Sequence, residues 1–415
     1  MNAHQDISTS GTHAAGPPDD VARTILTGGR LAHIDALRAL ALLGVIVMNI
    51  GSMVMAVNGR ATFAAAGPTD LAAAAVDLIL FQGKARSCFA FLFGAGFAIL
   101  MLRSQTCGTG FPAFYARRML VLLGFGLVNQ VFLFWGDILV TYALLGFALI
   151  MVRHWAIDRL LKTGLALVLA PPLIAAALEL AVGGPLPNLI ETSRGAEAAA
   201  ALAAYTSPSY ADAVAQNIRT GLREFGVNTP HMTLYNLSVL GLFLLGAWSV
   251  RTGLLLDPAA HRRLLRRLAA IAIPIGSVLS VASSLPFLGV RATGAAHAAI
   301  TAAYVGVPIL AFGYLAAFAL LLARRPSPPR RPSPLQAFLA PAGRMSLTNY
   351  LASGALGCWV FYGYGLGQLE RLNLFGLTAV AVLLFVALAL LSRLWLARFR
   401  QGPAEWLWRR LSGSA

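Results

Sequence analysis

The sequence predicts an all-α integral membrane protein of about ten transmembrane helices, with both ends on the cytoplasmic side. Three observations predict it. Hydrophobic residues make up 58% of the 415 positions and charged residues only 12%, against about 25% charged in soluble domains. The mean hydropathy is +0.72. Apolar runs long enough to cross a bilayer recur along the chain, with small groups of basic residues between them. A soluble protein this apolar could not cover its own surface, so lipid must be part of its solvent.

A spanning helix needs about 20 mostly apolar residues. The runs that qualify are Ile34–Val57, Leu80–Leu102, Arg118–Trp135, Asp137–Val152, Thr163–Val182, His231–Val250, Ala269–Val290, His297–Ala323, Leu335–Phe361 and Phe375–Ala397. The third and fourth are short and meet in a tight turn at Trp135-Gly136-Asp137. Helix-like sequence around Asp77 precedes the second.

Orientation follows from lysine and arginine placement. With the N-terminus inside, Arg60, Lys84, Arg86, Arg194, Arg219, Arg223, Arg291 and Arg371 fall outside or near the outer interface, and the other 24 of the 32 basic residues fall in the cytoplasm. The expected location is the bacterial inner membrane. The net charge of +16 does not indicate nucleic acid, because the basic residues form no single patch or stripe. Cys88, Cys107 and Cys358 form no disulfide or metal pattern, and no metal-ligand spacing, nucleophile elbow or phosphate loop is present. No permanently bound cofactor or metal is expected.

Residues 1–32 read as a disordered cytoplasmic tail, and the first apolar run as an uncleaved anchor. Residues 33–323 form a membrane domain of eight helices with an outer segment at 183–230, read as a connector, short interfacial helices or a lid. Residues 324–334 form a Pro/Arg linker that cannot continue a helix. Residues 335–415 supply a C-terminal helix pair and a cytoplasmic tail. No internal repeat is evident.

Polar residues inside spans are costly unless paired or hydrated, so they point to function. In the first helix, Asp35, Arg38 and Asn49 share one face. Arg38 and Asn49 are eleven residues apart, about 16 Å along the axis. This face is either a donor-binding surface or a charged anchor plus one buried amide that joins helices. Lys84 and Arg86 precede the aromatic, glycine-bearing run Phe89–Phe97. They either hold an anion at a cavity mouth or reach the interface along their aliphatic stems. Asp137 is either a base facing an outer cavity or a helix cap. Arg344, Thr348, Asn349 and Tyr350 form a dense polar cluster that needs partners or water. Among the seven histidines, His231 and His297 open spans on the outer side, and either could accept a proton.

Several blocks, taken together, resemble the YeiB family of bacterial membrane proteins. They are Ile34-Asp35-Ala36-Leu37-Arg38 with Asn49-Ile50, Gly83-Lys84 with Leu92-Phe93-Gly94-Ala95-Gly96, Gly136-Asp137-Ile138-Leu139, Gly343 to Leu351, and Phe399 to Arg409. The resemblance covers about Arg30 to Leu411, and the C-terminal half is similar to that family's domain of unknown function. The first helix resembles that of integral-membrane acyltransferases such as heparan-α-glucosaminide N-acetyltransferase. The resemblance implies transfer of an acyl group from cytosolic acyl-CoA, as co-substrate, to an envelope or small-molecule acceptor. Arg38, Lys84, Arg86 and Arg344 would hold the anionic donor, and Asn49 would face the channel. Asp137 or His231 would assist the acceptor.

The chain departs from the family pattern at two points. Ala39 stands where glycine is usual after the first-helix arginine. Asn129 stands where a histidine usually precedes the Gly-Asp-Ile-Leu block, and an amide cannot take up a proton near neutral pH. Two other readings remain open: a transporter or lipid flippase, which the buried charges fit equally, and a non-catalytic membrane scaffold. The bilayer is the one certain partner in each reading; a homo-oligomer is compatible with all.

Overall fold

A computed structural model describes residues 31–58, 67–105, 110–186, 196–226, 230–323, 333–369 and 371–413. Residues 1–30 of the predicted tail, the Pro/Arg segment up to 332, Cys107 and the stretches 187–195 and 227–229 of the predicted outer segment lie outside the described residues, and the last residue of the predicted tail, Ala32, already opens the first helix. Everything regular among the described residues is helical, as the composition predicts. Eight helical stretches are long and apolar enough to cross a membrane. The fourth predicted span corresponds to a shorter helix of 14 residues, and the ninth to two helices of 11 and 16 residues.

The first helix, α1 (Ala32–Asn58), is the axis of the molecule. Ala36, Leu37, Ala39, Leu42, Val45, Ile46 and Met53 are all buried, and they cover most of its circumference. A helix apolar on every side belongs in a core rather than on a surface. Residues before and after the Pro/Arg segment share this core, from Ile34 through Phe243 to Tyr350 and Leu388.

The second predicted span is broken. Helix α2 (Pro68–Val76) runs into a π-turn at Asp77–Phe81. The chain then bends at Gln82-Gly83, where Gly83 takes φ +77°, and resumes as α3 (Lys84–Gln105). A side chain at Gly83 would be strained in that left-handed conformation. The break lies beside the middle of α1, because Gly44 packs directly on Ala85 and Phe81. Hydropathy treats the two pieces as one stretch, Pro68–Ser104.

Helix α4 (Phe111–Val128) also ends in a π-turn, Asn129–Leu133. A tight turn leads to α5 (Leu139–Val152). Gly126 lets the two limbs close: a Cβ there would lie 2.7 Å from the Val140 nitrogen. Fourteen residues span about 21 Å, short of a hydrocarbon core of about 30 Å. The tip of this hairpin stops near the α2–α3 break, because the Tyr142 hydroxyl donates to the Arg86 carbonyl (3.1 Å).

Helix α6 (Ile157–Val182) leads to the outer segment, which folds into α7 (Ala196–Thr206) and α8 (Tyr210–Gly226). Helix α8 sits on the hairpin tip. The Tyr210 hydroxyl donates to the Phe132 carbonyl (2.5 Å) and the Asn217 amide to the Val131 carbonyl (3.2 Å). Gly221 packs against Gln130. Helix α9 (Pro230–Arg251) crosses α3 at close range, with Gly94 against the Phe243 carbonyl and Gly246 against the Phe91 carbonyl. Helices α10 (Arg262–Ser284), α11 (Gly294–Ala302) and α12 (Gly306–Leu322) follow. Glycines 276, 306 and 313 bring α10 and α12 together.

The ninth predicted span is two helices, α13 (Pro334–Arg344) and α14 (Ser346–Phe361), broken at Met345. Ser333 and Gln336 start α13 with a reciprocal capping box. The break has a physical cause. Helix α15 (Leu374–Arg398) returns the chain to α16 (Pro403–Ser412), whose Glu405 carboxylate accepts the Leu347 and Thr348 N–H groups (2.8 and 3.2 Å). A new helix can start there because its orphan donors are met by an anion. Gly343 packs on the Asp35 carbonyl, where any side chain would clash.

Candidate functional site

The polar residues singled out by sequence fall into separate places. The first is the hairpin tip. Asp137 lies in the turn between α4 and α5. Its Oδ1 accepts the Asn129 amide (2.8 Å) and the Tyr350 hydroxyl (3.3 Å), and its Oδ2 accepts the Val140 N–H (2.8 Å). The Tyr350 oxygen in turn accepts the Ile138 N–H (3.1 Å). Asn129 and Tyr350 are almost fully buried. Tyr142, on the next turn of α5, reaches the Arg86 carbonyl, and the Arg86 guanidinium lies 4.5 Å from the centre of the Tyr235 ring.

Asn129 was visible in the sequence only as a departure from a family pattern. In the structure it is the direct partner of Asp137. The position where the family usually carries histidine therefore faces the candidate base, and here it donates without being able to accept a proton.

The second place is the start of α1. Arg38 pairs with Asp35 (3.1 Å), as the spacing predicts. Gly96 of α3 leaves room for that guanidinium; a Cβ there would sit 3.3 Å from Arg38 Nη2. Arg118 feels the charges of Arg38, Arg409 and Glu405, so these groups belong to one electrostatic neighbourhood. Its guanidinium stacks 3.7 Å from the centre of Trp408, whose indole donates to the Arg118 carbonyl (2.9 Å).

The third place is the end of the molecule formed by α13, α15 and α16. Arg344 donates to the Arg400 carbonyl (3.1 Å). Thr348 donates to Glu405 (2.5 Å) and accepts the Ala404 N–H (3.1 Å). An open cleft of about 580 Å³ here is lined by Arg344, Arg398, Arg400 and Arg409. The predicted cluster is divided: Arg344 turns to the Arg400 carbonyl, Thr348 to Glu405, Asn349 to Ser392 and Tyr350 to Asp137; sequence reading assigned no role to Glu405, which reaches Thr348 from 57 residues away.

Three predicted residues stand apart. Asn349 is buried and donates to the Ala342 carbonyl and Ser392 (3.1 and 2.8 Å), which makes it a structural tie between α13, α14 and α15. Lys84 is 1% exposed and donates to the Leu78 carbonyl (2.8 Å) across the helix break, so it does not reach an interface. Asn49 is buried with its amide nitrogen unpartnered, on α1. The side chain of His231 lies outside the described residues. Among the described residues no group of His, Cys, Asp and Glu could hold a metal ion.

The fold and these buried centres define a polytopic, all-α membrane protein. A family profile described as a protein of unknown function (DUF418) matches residues 249–414. The chain is 31% identical to the uncharacterized protein YxaH of Bacillus subtilis (strain 168), covering 92% of this chain and 94% of that protein. It is 29% identical to the uncharacterized protein YeiB of Escherichia coli (strain K12), covering 92% and 96%. An uncharacterized 39.9 kDa protein from the amylase 3' region of Bacillus acidopullulyticus is 28% identical, over 92% and 94%. The chain belongs to the YeiB family. No solved structure matches it.

Proposed function

We propose that this chain is an inner-membrane acyltransferase that moves an acyl group from cytosolic acyl-CoA to an envelope sugar, lipid or small metabolite. The observation that carries the proposal is Asp137, a half-buried carboxyl held by Asn129, Tyr350 and the Val140 N–H at the tip of a hairpin. In this reading the acceptor's hydroxyl or amine attacks the thioester carbon and gives its proton to Asp137. The carbon–sulfur bond breaks as the new bond forms, and the CoA thiolate leaves to be protonated. Arg38 and Arg344, at the end where α1 begins, hold the donor's anionic groups, for which the guanidinium fork is well suited. Lys84 is spent on the Leu78 carbonyl and supports the helix break instead.

The test is acetyl-CoA binding to the detergent-purified protein, wild type against Arg38→Ala. Micromolar binding, on the order of −8 kcal/mol, is expected for the wild type and is lost in a variant that still folds. A folded wild type that does not bind acetyl-CoA sinks the acyl-donor reading.

A second reading, a transporter, is favoured by a different observation: the break at Gln82-Gly83 beside the middle of α1, with a buried lysine at its edge. Broken helices of this kind build midplane sites in transporters. Solute uptake into proteoliposomes without acyl-CoA would decide for it.

A further inference from the structure

Helix α8 has three different faces. Ala213, Asn217 and Gly221 are buried and form the side that packs on the protein. Ala211, Ala215, Ile218 and Leu222 follow the spacing of one helix face and are all exposed, Leu222 at 67%. At about 100° per residue, this apolar face lies about 130° round the helix from the buried one. Asp212 and Arg219, both exposed, share a third side about 80° further on. A helix with an exposed apolar face beside an exposed charged one suits the boundary between hydrocarbon and water.

The depth of α8 follows from what it sits on. Tyr210, Asn217 and Gly221 meet Phe132, Val131 and Gln130, three successive residues of the π-turn, so α8 lies across the hairpin tip rather than along a limb. The limbs below that tip are short. Arg118 stacks on Trp408 at the other end of the hairpin. From there to the end of the π-turn run only residues 119–133, and α5 has 14 residues. Each limb therefore rises about 21–23 Å, against a hydrocarbon core of about 30 Å. A helix laid across the tip adds about 10 Å. Hairpin and α8 together match the thickness that the hairpin alone leaves short. The exposed apolar surface also continues from one to the other. Leu127, Val128 and Phe132 are exposed up to the tip, and Tyr210 holds the Phe132 carbonyl.

We infer that α8 is embedded in the leaflet on the side of the hairpin tip, with Ala211, Ala215, Ile218 and Leu222 against lipid acyl chains and Asp212 and Arg219 at the headgroups. By the orientation that the basic residues predict, this is the outer leaflet. The turn that carries Asp137 then lies beneath the headgroup level. The embedding rests on the membrane-spanning fold and holds whether or not the chain transfers acyl groups.

The test is fluorescence quenching in phosphatidylcholine nanodiscs. Ile218→Cys, Leu222→Cys and Asp212→Cys are made singly in the full chain carrying Cys107→Ser, Cys88 and Cys358 being buried, and each is labelled with the fluorophore NBD. All three side chains are exposed, so the labelled variants keep the wild-type unfolding midpoint. Phosphatidylcholine with a nitroxide on its acyl chain should lower the emission at 218 and 222 at least twofold, and aqueous iodide should quench only at 212. Iodide quenching at 218 and 222 as strong as at 212 places α8 in water and overturns the inference. Shielding of 218 and 222 from both quenchers means that a second protein copy covers the face, and overturns it as well. The unaltered chain gives an independent readout: phosphatidylcholine with an acyl-chain diazirine should photolabel residues 211–222. Labelling of the exposed face of α15 without labelling of 211–222 overturns the inference without any variant.

Discussion

The hairpin tip and the arginine cleft hold the two densest groups of polar side chains described above, and they are built on opposite plans. At the tip, one carboxylate is surrounded by donors from three sequence regions: Asn129, Val140 and Tyr350. These bonds are partly buried, and the donor side chains Asn129 and Tyr350 are fully so. At the cleft, charges of one sign line an open surface, and the ordered part is the backbone behind them. Buried hydrogen bonds are worth most because a lost partner leaves another group unsatisfied. Exposed charges cost little to remove, because water replaces what is lost. The tip should therefore govern stability, and the cleft should contribute little to it.

The largest effect should follow Asp137→Ala, which strands the Asn129 amide and the Val140 N–H in the interior. A loss of about 2–4 kcal/mol is expected, read by denaturant unfolding in detergent. A loss under about 1 kcal/mol would erase the contrast between the two regions.

Next in size is Glu405→Ala, which uncaps α14 and frees α16. About 1–2 kcal/mol is expected, the usual scale of a lost helix cap, together with a changed Trp408 fluorescence as that ring leaves Arg118. The smallest effect belongs to Arg398→Ala/Arg400→Ala, within about 0.5 kcal/mol of wild type. A larger loss would mean that the cleft, like the tip, is part of the scaffold.

How much of this was legible in the sequence depends on the range of the interaction. Spans are a compositional signal, so α1, α6, α9 and α15 stand out from hydropathy alone. The break at Gly83 does not, because the apolar stretches beyond Gln82 and Arg86 carry the hydropathy across it as one run, Pro68–Ser104. The Asp35–Arg38 pair was readable because helical spacing sets it. The partner of Asn349 was not readable, because Ser392 lies 43 residues away on another helix. Glu405 stood in the Phe399–Arg409 block without a role, since only the fold brings it to the start of α14. Lys84 near the edge of an apolar run was open to an interfacial reading until the carbonyl of Leu78 was seen to take its proton donor.

Two of the chain breaks are preceded by π-turns, Asp77–Phe81 and Asn129–Leu133. A π-turn holds one residue more than the α-helix it interrupts. These two places are therefore where the protein can absorb a one-residue deletion: the turn would relax to ordinary α-helix and the flanking segments would keep their register. The same deletion inside α3 would swing every following side chain by about 100° and carry Gly94 off the Phe243 carbonyl. Across sequences that share this architecture, length changes should gather at the two π-turns and be absent from the helix crossing a few residues beyond.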